Sequence, residues 1–220
     1  MNSDSLSDWL GYINSKRPNE KEFGLERLKG VYSELIKKPI AAKTILIAGT
    51  NGKGSTAEFL KNFLFSAGFT VGVYTSPHLI HFNERIRING KQACDEKIIS
   101  SFKKIEDCKG KTKLTYFDYA TLAAFDIFSE AKLDFAILEI GIGGKYDPVN
   151  LLDSDISIIT NIDLDHEKWL GRTLNDIGFQ KAAILKEGRV GILGNANMPD
   201  SLKIRASEVC SKKFQLGEDY

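Results

Sequence analysis

The residues best suited to chemistry lie in one short stretch, Gly49-Thr50-Asn51-Gly52-Lys53-Gly54-Ser55-Thr56, which combines glycines, a lysine and hydroxyl side chains. Glycines let backbone N–H groups turn toward a phosphate, a helix starting there adds positive potential, and Lys53 can place a charge against terminal phosphates. Ser55 or Thr56 could reach a magnesium ion held by the same phosphates. The spacing departs from the common G-x-x-x-x-G-K-[ST] pattern: only Thr50 and Asn51 separate Gly49 from Gly52, and Gly54 stands between Lys53 and Ser55. That departure argues against a generic nucleotide hydrolase. The plainer alternative is a glycine-rich turn ahead of a helix cap.

Such a loop needs a strand before it and a helix after it. Short apolar runs rich in Ile, Val and Leu occur at residues 44–48, 71–74, 135–139, 156–160 and 190–193, separated by stretches of helical periodicity. Strands alternating with crossover helices predict an α/β fold with a largely parallel sheet covered on both faces. Leu60, Phe63, Leu64 and Ala67 recur at helical spacing ahead of Gly68, which predicts the first crossover helix and its stop. Further helices are expected over 119–131 and near 174–187. Asn89-Gly90, after Ile86 and Ile88, predicts a hairpin over 84–92, expected outside the main parallel sheet. Residues 1–42, with Trp9, Leu10 and Ile13 and then Leu25, Leu28, Val31, Tyr32 and Leu35, suggest two helices leading into the first strand. Residues 214–220 read as the start of another strand.

In this arrangement Glu139 ends an apolar strand, at the sheet edge where open α/β folds bind ligands, and is a plausible magnesium ligand rather than only a solvated strand-end acid. Asp165 and His166 follow the next strand at the same edge. The chain is long enough at 220 residues for one sizeable core, and its net charge of +1 creates no field that would gather nucleic acid or anionic lipid. Cys94, Cys108 and Cys210 lack metal-ligand spacing and a disulfide framework. The stretch with Asp4, Ser5, Asp8 and Trp9 lacks the basic and apolar regions of a signal peptide and no apolar run is long enough to span a bilayer, so a reducing cytoplasm is expected, with no membrane role.

Several segments then share one resemblance. Beside the glycine loop stand Thr75-Ser76-Pro77-His78-Leu79, followed by Phe82-Asn83-Glu84-Arg85-Ile86, and Leu114-Thr115-Tyr116-Phe117-Asp118-Tyr119. Further along come Glu139-Ile140-Gly141-Ile142-Gly143-Gly144 with Asp147 and Asn150, Leu164-Asp165-His166 and Lys181-Ala182-Ala183-Ile184, with Phe23-Gly24-Leu25-Glu26-Arg27 upstream. In this order they resemble the folylpolyglutamate synthase/dihydrofolate synthase family, the folate branch of the Mur-ligase superfamily, over nearly the whole chain. The sequence departs from the family pattern with Lys145 for a common Arg, Asp118 for Glu, Ala183 for Gly, and Pro148-Val149 where small residues are common.

The resemblance implies a P-loop α/β domain like the Mur-ligase central domain. It divides the chain into a helical segment, 1–42, and an ATP-binding domain, 43–220, incomplete at its C-terminal end, with the C-terminal ligase domain absent and the isolated chain inactive. It implies an ATP-dependent ligase that adds L-glutamate to dihydropteroate or a reduced folate through an acyl phosphate, with Mg2+, acting as a monomer when complete. ATP would be bound by Gly49, Thr50, Asn51, Gly52, Lys53, Gly54, Ser55 and Thr56. Ser55, Ser76, Glu139, His166 and Lys181 would serve the metal, and Lys53, Glu139, His166 and Lys181 the chemistry. Lys181 matches a lysine that can be carbamylated, which would convert a cation into an oxygen ligand. Asp165 could orient His166 or cap a turn. His78 and His81 are read as loop residues close to the pterin, and the stretch 116–119 as either a pterin platform or core. Two alternatives remain: a Mur-type ligase of a peptidoglycan precursor, and a nucleotide-binding module without catalysis.

Overall fold

The computed structural model describes residues 3–15 and 24–220, so Phe23 of the upstream motif lies outside the described residues. Strands β1 (Lys43–Ala48), β2 (Val71–Tyr74), β5 (Phe135–Glu139), β6 (Ile156–Ile159), β7 (Val190–Leu193) and β8 (Lys212–Gln215) run parallel. They form one sheet with β3 (Ile86–Ile88) and β4 (Lys91–Gln92), in the order β4-β3-β2-β5-β1-β6-β7-β8. The apolar runs thus sit within a residue of their expected bounds. The strand expected to start over 214–220 is corrected: β8 begins at Lys212 and ends at Gln215, and residues 216–219 form a turn, closed by bonds from Glu218 N and Asp219 N to Gln215 O.

The alternation of side chains divides the core between the two sheet faces. Ile45, Ile47, Val71, Val73 and Ile137 point to the face covered by α3 (Lys53–Ser66), where Ala57 is buried against them. Leu46, Ala48, Tyr74, Ala136 and Leu138 point to the opposite face. There they meet α1 (Leu6–Ser15), α2 (Glu26–Leu35), α4 (Asp95–Cys108) and α5 (Tyr116–Glu130), through Trp9, Ile13, Leu28, Phe102, Phe125 and Phe128. The two N-terminal helices therefore share the main core. Gly72 of β2 lies where a Cβ would come within 2.4 Å of Leu133 Cδ1 and 3.1 Å of the Phe128 ring, so its lack of a side chain lets α5 lie close to the sheet.

The hairpin forms through Asn89 (φ 51°) and Gly90 (φ 78°), as the Asn-Gly pair predicts, but its expected place outside the sheet is corrected. Strand β3 pairs antiparallel with β2, from Gly72 opposite Ile88 to Tyr74 opposite Ile86. Asn89 Oδ1 also accepts a hydrogen bond from Val71 N at 2.8 Å, so the turn is tied to the parallel sheet it edges. The helix expected near 174–187 ends earlier, as α7 (Leu174–Ala182), because Ile184 N and Leu185 N bond three residues back, to Lys181 O and Ala182 O, and close the chain into a turn. Residues 95–108, the short α6 (Glu167–Leu170) and α8 (Asp200–Val209) add helices that the sequence reading leaves unassigned.

Candidate active site

The glycine loop leaves the C-terminal end of β1 and turns into α3. Gly49 has φ 145° and a Cβ there would lie 1.9 Å from Thr160 Oγ1; Gly52, the residue preceding α3, has φ 80°. Both positions require glycine. The first N–H groups of a helix have no partner within it, and here they open from the loop at the sheet's C-terminal edge. Lys53 Nζ donates to Gly49 O at 3.0 Å and to Thr50 O at 3.1 Å. Ser55 is exposed on the first turn, while Thr56 Oγ1 donates back to Gly52 O at 2.9 Å.

Lys181 reaches the same place from another element. Thr173 and Asp176 form a reciprocal cap that starts α7, and its last turn packs on the Gly143-Gly144 bend, where a Gly144 Cβ would lie 2.8 Å from Gln180 O. Lys145 N donates to Gln180 O at 3.1 Å. This brings Lys181, 5% exposed, to Gly49 O, to which its Nζ donates at 2.9 Å. Two ammonium groups thus meet at one carbonyl oxygen. Burial, reinforced by the neighbouring Lys53 charge, holds the Lys181 pKa down to about 8, against the pull of Asp165 and Asp147.

Glu139 ends β5, buried, with Oε2 accepting from Ser76 N at 3.0 Å and lying 3.9 Å from the point a Gly54 Cβ would occupy. Its pKa is raised by burial, opposed by the Ser76 N–H and by Lys53, Arg85 and Arg87. The structure therefore brings Glu139, Ser76 and the first turn of α3 together. These carboxylate and hydroxyl donors are hard oxygens of the kind magnesium takes. His166 opens α6 with φ 48°, half exposed, its Nε2 3.6 Å from Asp165 Oδ2. Among the described residues no three of His, Cys, Asp and Glu form a metal cage.

Other polar residues prove structural or supporting. Asp147, buried, accepts from Gly141 N (2.8 Å), Ile142 N (3.0 Å) and Val149 N (2.9 Å), which shapes the glycine segment after Glu139; burial pushes its pKa up to about 7 against those donors. Pro148–Leu151 forms a single 3-10 turn beginning at this aspartate. Phe117 lies on the bare backbone of Gly141, Tyr116 and Phe117 pack against the core, and Tyr119 is buried in it, so what the structure displays for the stretch 116–119 is core packing. His78 Nδ1 accepts from Arg85 Nε at 2.7 Å, and burial together with Arg85 lowers the His78 pKa, consistent with a neutral acceptor. His81 precedes the 3-10 turn Phe82–Arg85, whose Glu84 gathers the N–H groups of Leu79, Ile80 and His81. Thr160, Asn161 and Asp163, which hold the glycine loop, escaped the sequence reading. Their only signal was polarity directly after a strand.

A glycine loop, a lysine and a buried strand-end carboxylate thus gather at the C-terminal edge of the parallel strands, where open α/β folds bind ligands. A family description, Mur ligase middle domain, matches residues 47–219, and the chain belongs to that family. The relatives it resembles within that family include proteins named dihydrofolate synthase/folylpolyglutamate synthase. It is 41% identical to that enzyme of Escherichia coli (strain K12) over 92% of this chain and 48% of the relative, and 38% identical to that of Bacillus subtilis (strain 168) over 82% and 44%. The chain thus spans about half the length of the relatives it matches. Among solved structures, E. coli FolC in complex with DHPP and ADP superposes with a TM-score of 0.91 at 37% identity, over 96% of this chain and 52% of that one. A bifunctional folylpolyglutamate synthase/dihydrofolate synthase with Mn, AMPPNP and L-glutamate bound gives 0.88 at 41% identity, over 96% and 51%.

Proposed function

We propose that this chain is the nucleotide-binding part of an ATP-dependent ligase that joins L-glutamate to dihydropteroate or a reduced folate. The observation that carries the reading is the convergence of Lys53 and Lys181 on Gly49 O, beside α3 and the buried Glu139. Relatives with ADP or AMPPNP bound, one also holding L-glutamate, support it.

A carboxylate oxygen is a poor leaving group, so the acid must be activated before an amine can displace it. The acceptor's carboxylate attacks the γ-phosphorus of ATP, ADP leaves, and an acyl phosphate forms. The glutamate amine then adds to the acyl carbon, phosphate departs, and the amine loses a proton as the amide forms. Lys53 and the amides opening α3 offset the charge that builds on the transferring phosphoryl group, in a position set before reaction. Mg2+ would neutralise phosphate charge and orient the oxygens for in-line transfer. Ser55, Ser76 and Glu139 would hold it at the loop, and His166 and Lys181 would serve a second position. A Lys181 free amine adds CO2 and loses a proton to become a carbamate, and the low Lys181 pKa favours that amine. The contact of Lys181 with Gly49 O puts such a group next to the phosphate loop. A cytoplasmic location fits this chemistry, and among the described residues no helix is long and apolar enough to cross a membrane.

The test is phosphate release from ATP by the protein carrying this chain, with dihydropteroate or a reduced folate as acceptor. Release should require both acceptor and L-glutamate. Lys53→Ala should weaken nucleotide binding roughly tenfold to a hundredfold, the value of about 1.5–3 kcal/mol of charge-assisted contact. Release without an acceptor would point to a hydrolase, and nucleotide binding with no turnover on any acceptor would point to a binding module.

A further inference from the structure

The glycine loop does not hold its own shape. Thr50 N donates to Asn161 O at 3.0 Å, Asn51 N donates to Asn161 Oδ1 at 2.8 Å, and Thr160 Oγ1 donates to Asn51 O at 2.6 Å. One hydroxyl then works in both directions: Thr50 Oγ1 donates to Asp163 O at 3.1 Å and accepts from Asp163 N at 3.0 Å. All of these partners lie on the segment that leaves β6, and that segment continues directly into Asp165 and His166.

The bonds decide which groups of the loop can face an anion. A carbonyl oxygen aimed at a phosphate would repel it, so the peptide planes of residues 49–51 must turn their oxygens away. Each oxygen has a donor that keeps it there: Lys53 and Lys181 on Gly49 O, Lys53 on Thr50 O, and Thr160 Oγ1 on Asn51 O. The amides of Thr50 and Asn51 are likewise taken up by Asn161, which leaves the amides at the start of α3 to meet the ligand. Lys53 will be drawn toward a bound phosphate, and Lys181, as a carbamate, toward the metal. The neutral bonds from Thr160 and Asn161 need not change.

Resting on the phosphate-loop reading above, we propose that Thr50, Thr160 and Asn161 are positioning residues. Thr160 and Asn161 set the peptide planes of the glycine loop, and the Thr50–Asp163 exchange joins that loop to the turn carrying His166. Phosphate binding at the loop and divalent-cation binding on the His166 side thereby become one coupled event. Where two sites are coupled in this way, each changes the other's affinity by the same factor.

The experiment is equilibrium titration with AMPPNP, with and without Mg2+, on the protein carrying this chain, unaltered and as Thr50→Val, Thr50→Ser and Asn161→Ala, with thermal unfolding recorded for each. In the unaltered protein Mg2+ should tighten AMPPNP binding. Thr50→Val should reduce that Mg2+ effect by about fivefold or more, the lower range of ordinary coupling between sites, and Thr50→Ser should restore it. Asn161→Ala, which keeps the Thr50 hydroxyl, should weaken AMPPNP binding about equally with and without Mg2+. If Thr50→Val lowers affinity by one factor in both conditions, the hydroxyl merely shapes the loop and the coupling is wrong. Should Thr50→Val fail to fold, an Asn161→Ala protein with unchanged AMPPNP affinity would still overturn the positioning role. No AMPPNP binding by the folded unaltered protein would instead defeat the phosphate-loop reading, and this proposal with it.

Discussion

Lys181 shows how far a residue's chemistry can depart from its type. A lysine in the last turn of a helix is ordinarily solvated, yet this one is 5% exposed and shares a carbonyl with Lys53. Its pKa falls from an ordinary 10.5 to about 8 because burial and the like charge both disfavour the ammonium. Below about pH 8 the folded and unfolded chains both carry the proton, and the folded state bears the full cost of burying it. Between about pH 8 and 10.5 the unfolded chain binds a proton that the folded chain has released, so this group's contribution to stability rises with pH. Replacing Lys181 by Met should therefore stabilise the protein more at pH 7 than at pH 10, by a difference of roughly 1–3 kcal/mol. Denaturant unfolding at the two pH values measures it. An identical Lys181→Met effect at both would mean that Lys181 does not titrate in this window.

At the scale of elements, the hairpin shows a local signal read correctly and placed wrongly. The Asn-Gly pair dictates the turn, but a turn does not say which strand its arms will join. Strand β2 would otherwise be the sheet's edge, and β3 covers its exposed N–H and C=O groups, leaving the short, polar β4 outermost. Asn89 contributes twice: it tolerates φ 51° and it accepts from Val71 N. Asn89→Ala should lose both and cost about 1.5–3 kcal/mol, whereas Asn89→Gly keeps the backbone freedom and should cost about 0.5–1.5 kcal/mol. Urea midpoints of the two variants make the comparison. Equal losses would assign the whole effect to the missing side-chain bond.

Over the whole molecule, the two sheet faces are covered unequally. The face toward α1, α2, α4 and α5 holds the large aromatic core, where Trp9 is fully buried, its ring centroid 5.9 Å from that of Phe102. The other carries α3, whose Phe59 is 76% exposed and Phe63 73% exposed. Aromatic count alone would give these positions similar weight. We expect Trp9→Ala to cost about 3–5 kcal/mol and Phe59→Ala to stay within about 0.5 kcal/mol. The Trp9→Ala loss should shift a single cooperative transition, since α1 and α2 pack into the same core as the sheet. A separate early transition for residues 1–42 would instead make them an independent unit.

The sequence by itself determined the strands, the crossover helix α3, the glycine loop and the hairpin turn, because each rests on local rules: apolar runs, helical spacing, and glycine where φ is positive. It also placed Glu139 at a strand end, which the structure sets beside α3. It could not show that Lys181 leaves solvent to meet Gly49, a contact made across 132 positions of chain. Nor could it single out Asn161 and Thr160, since an ordinary polar pair after a strand gains its role only from what lies opposite. Pairing across the sheet, burial and the sharing of one carbonyl by two cations depend on which distant segments become neighbours. Only the tertiary structure decided those, because local preference governs how each segment folds while the packed core governs what it touches.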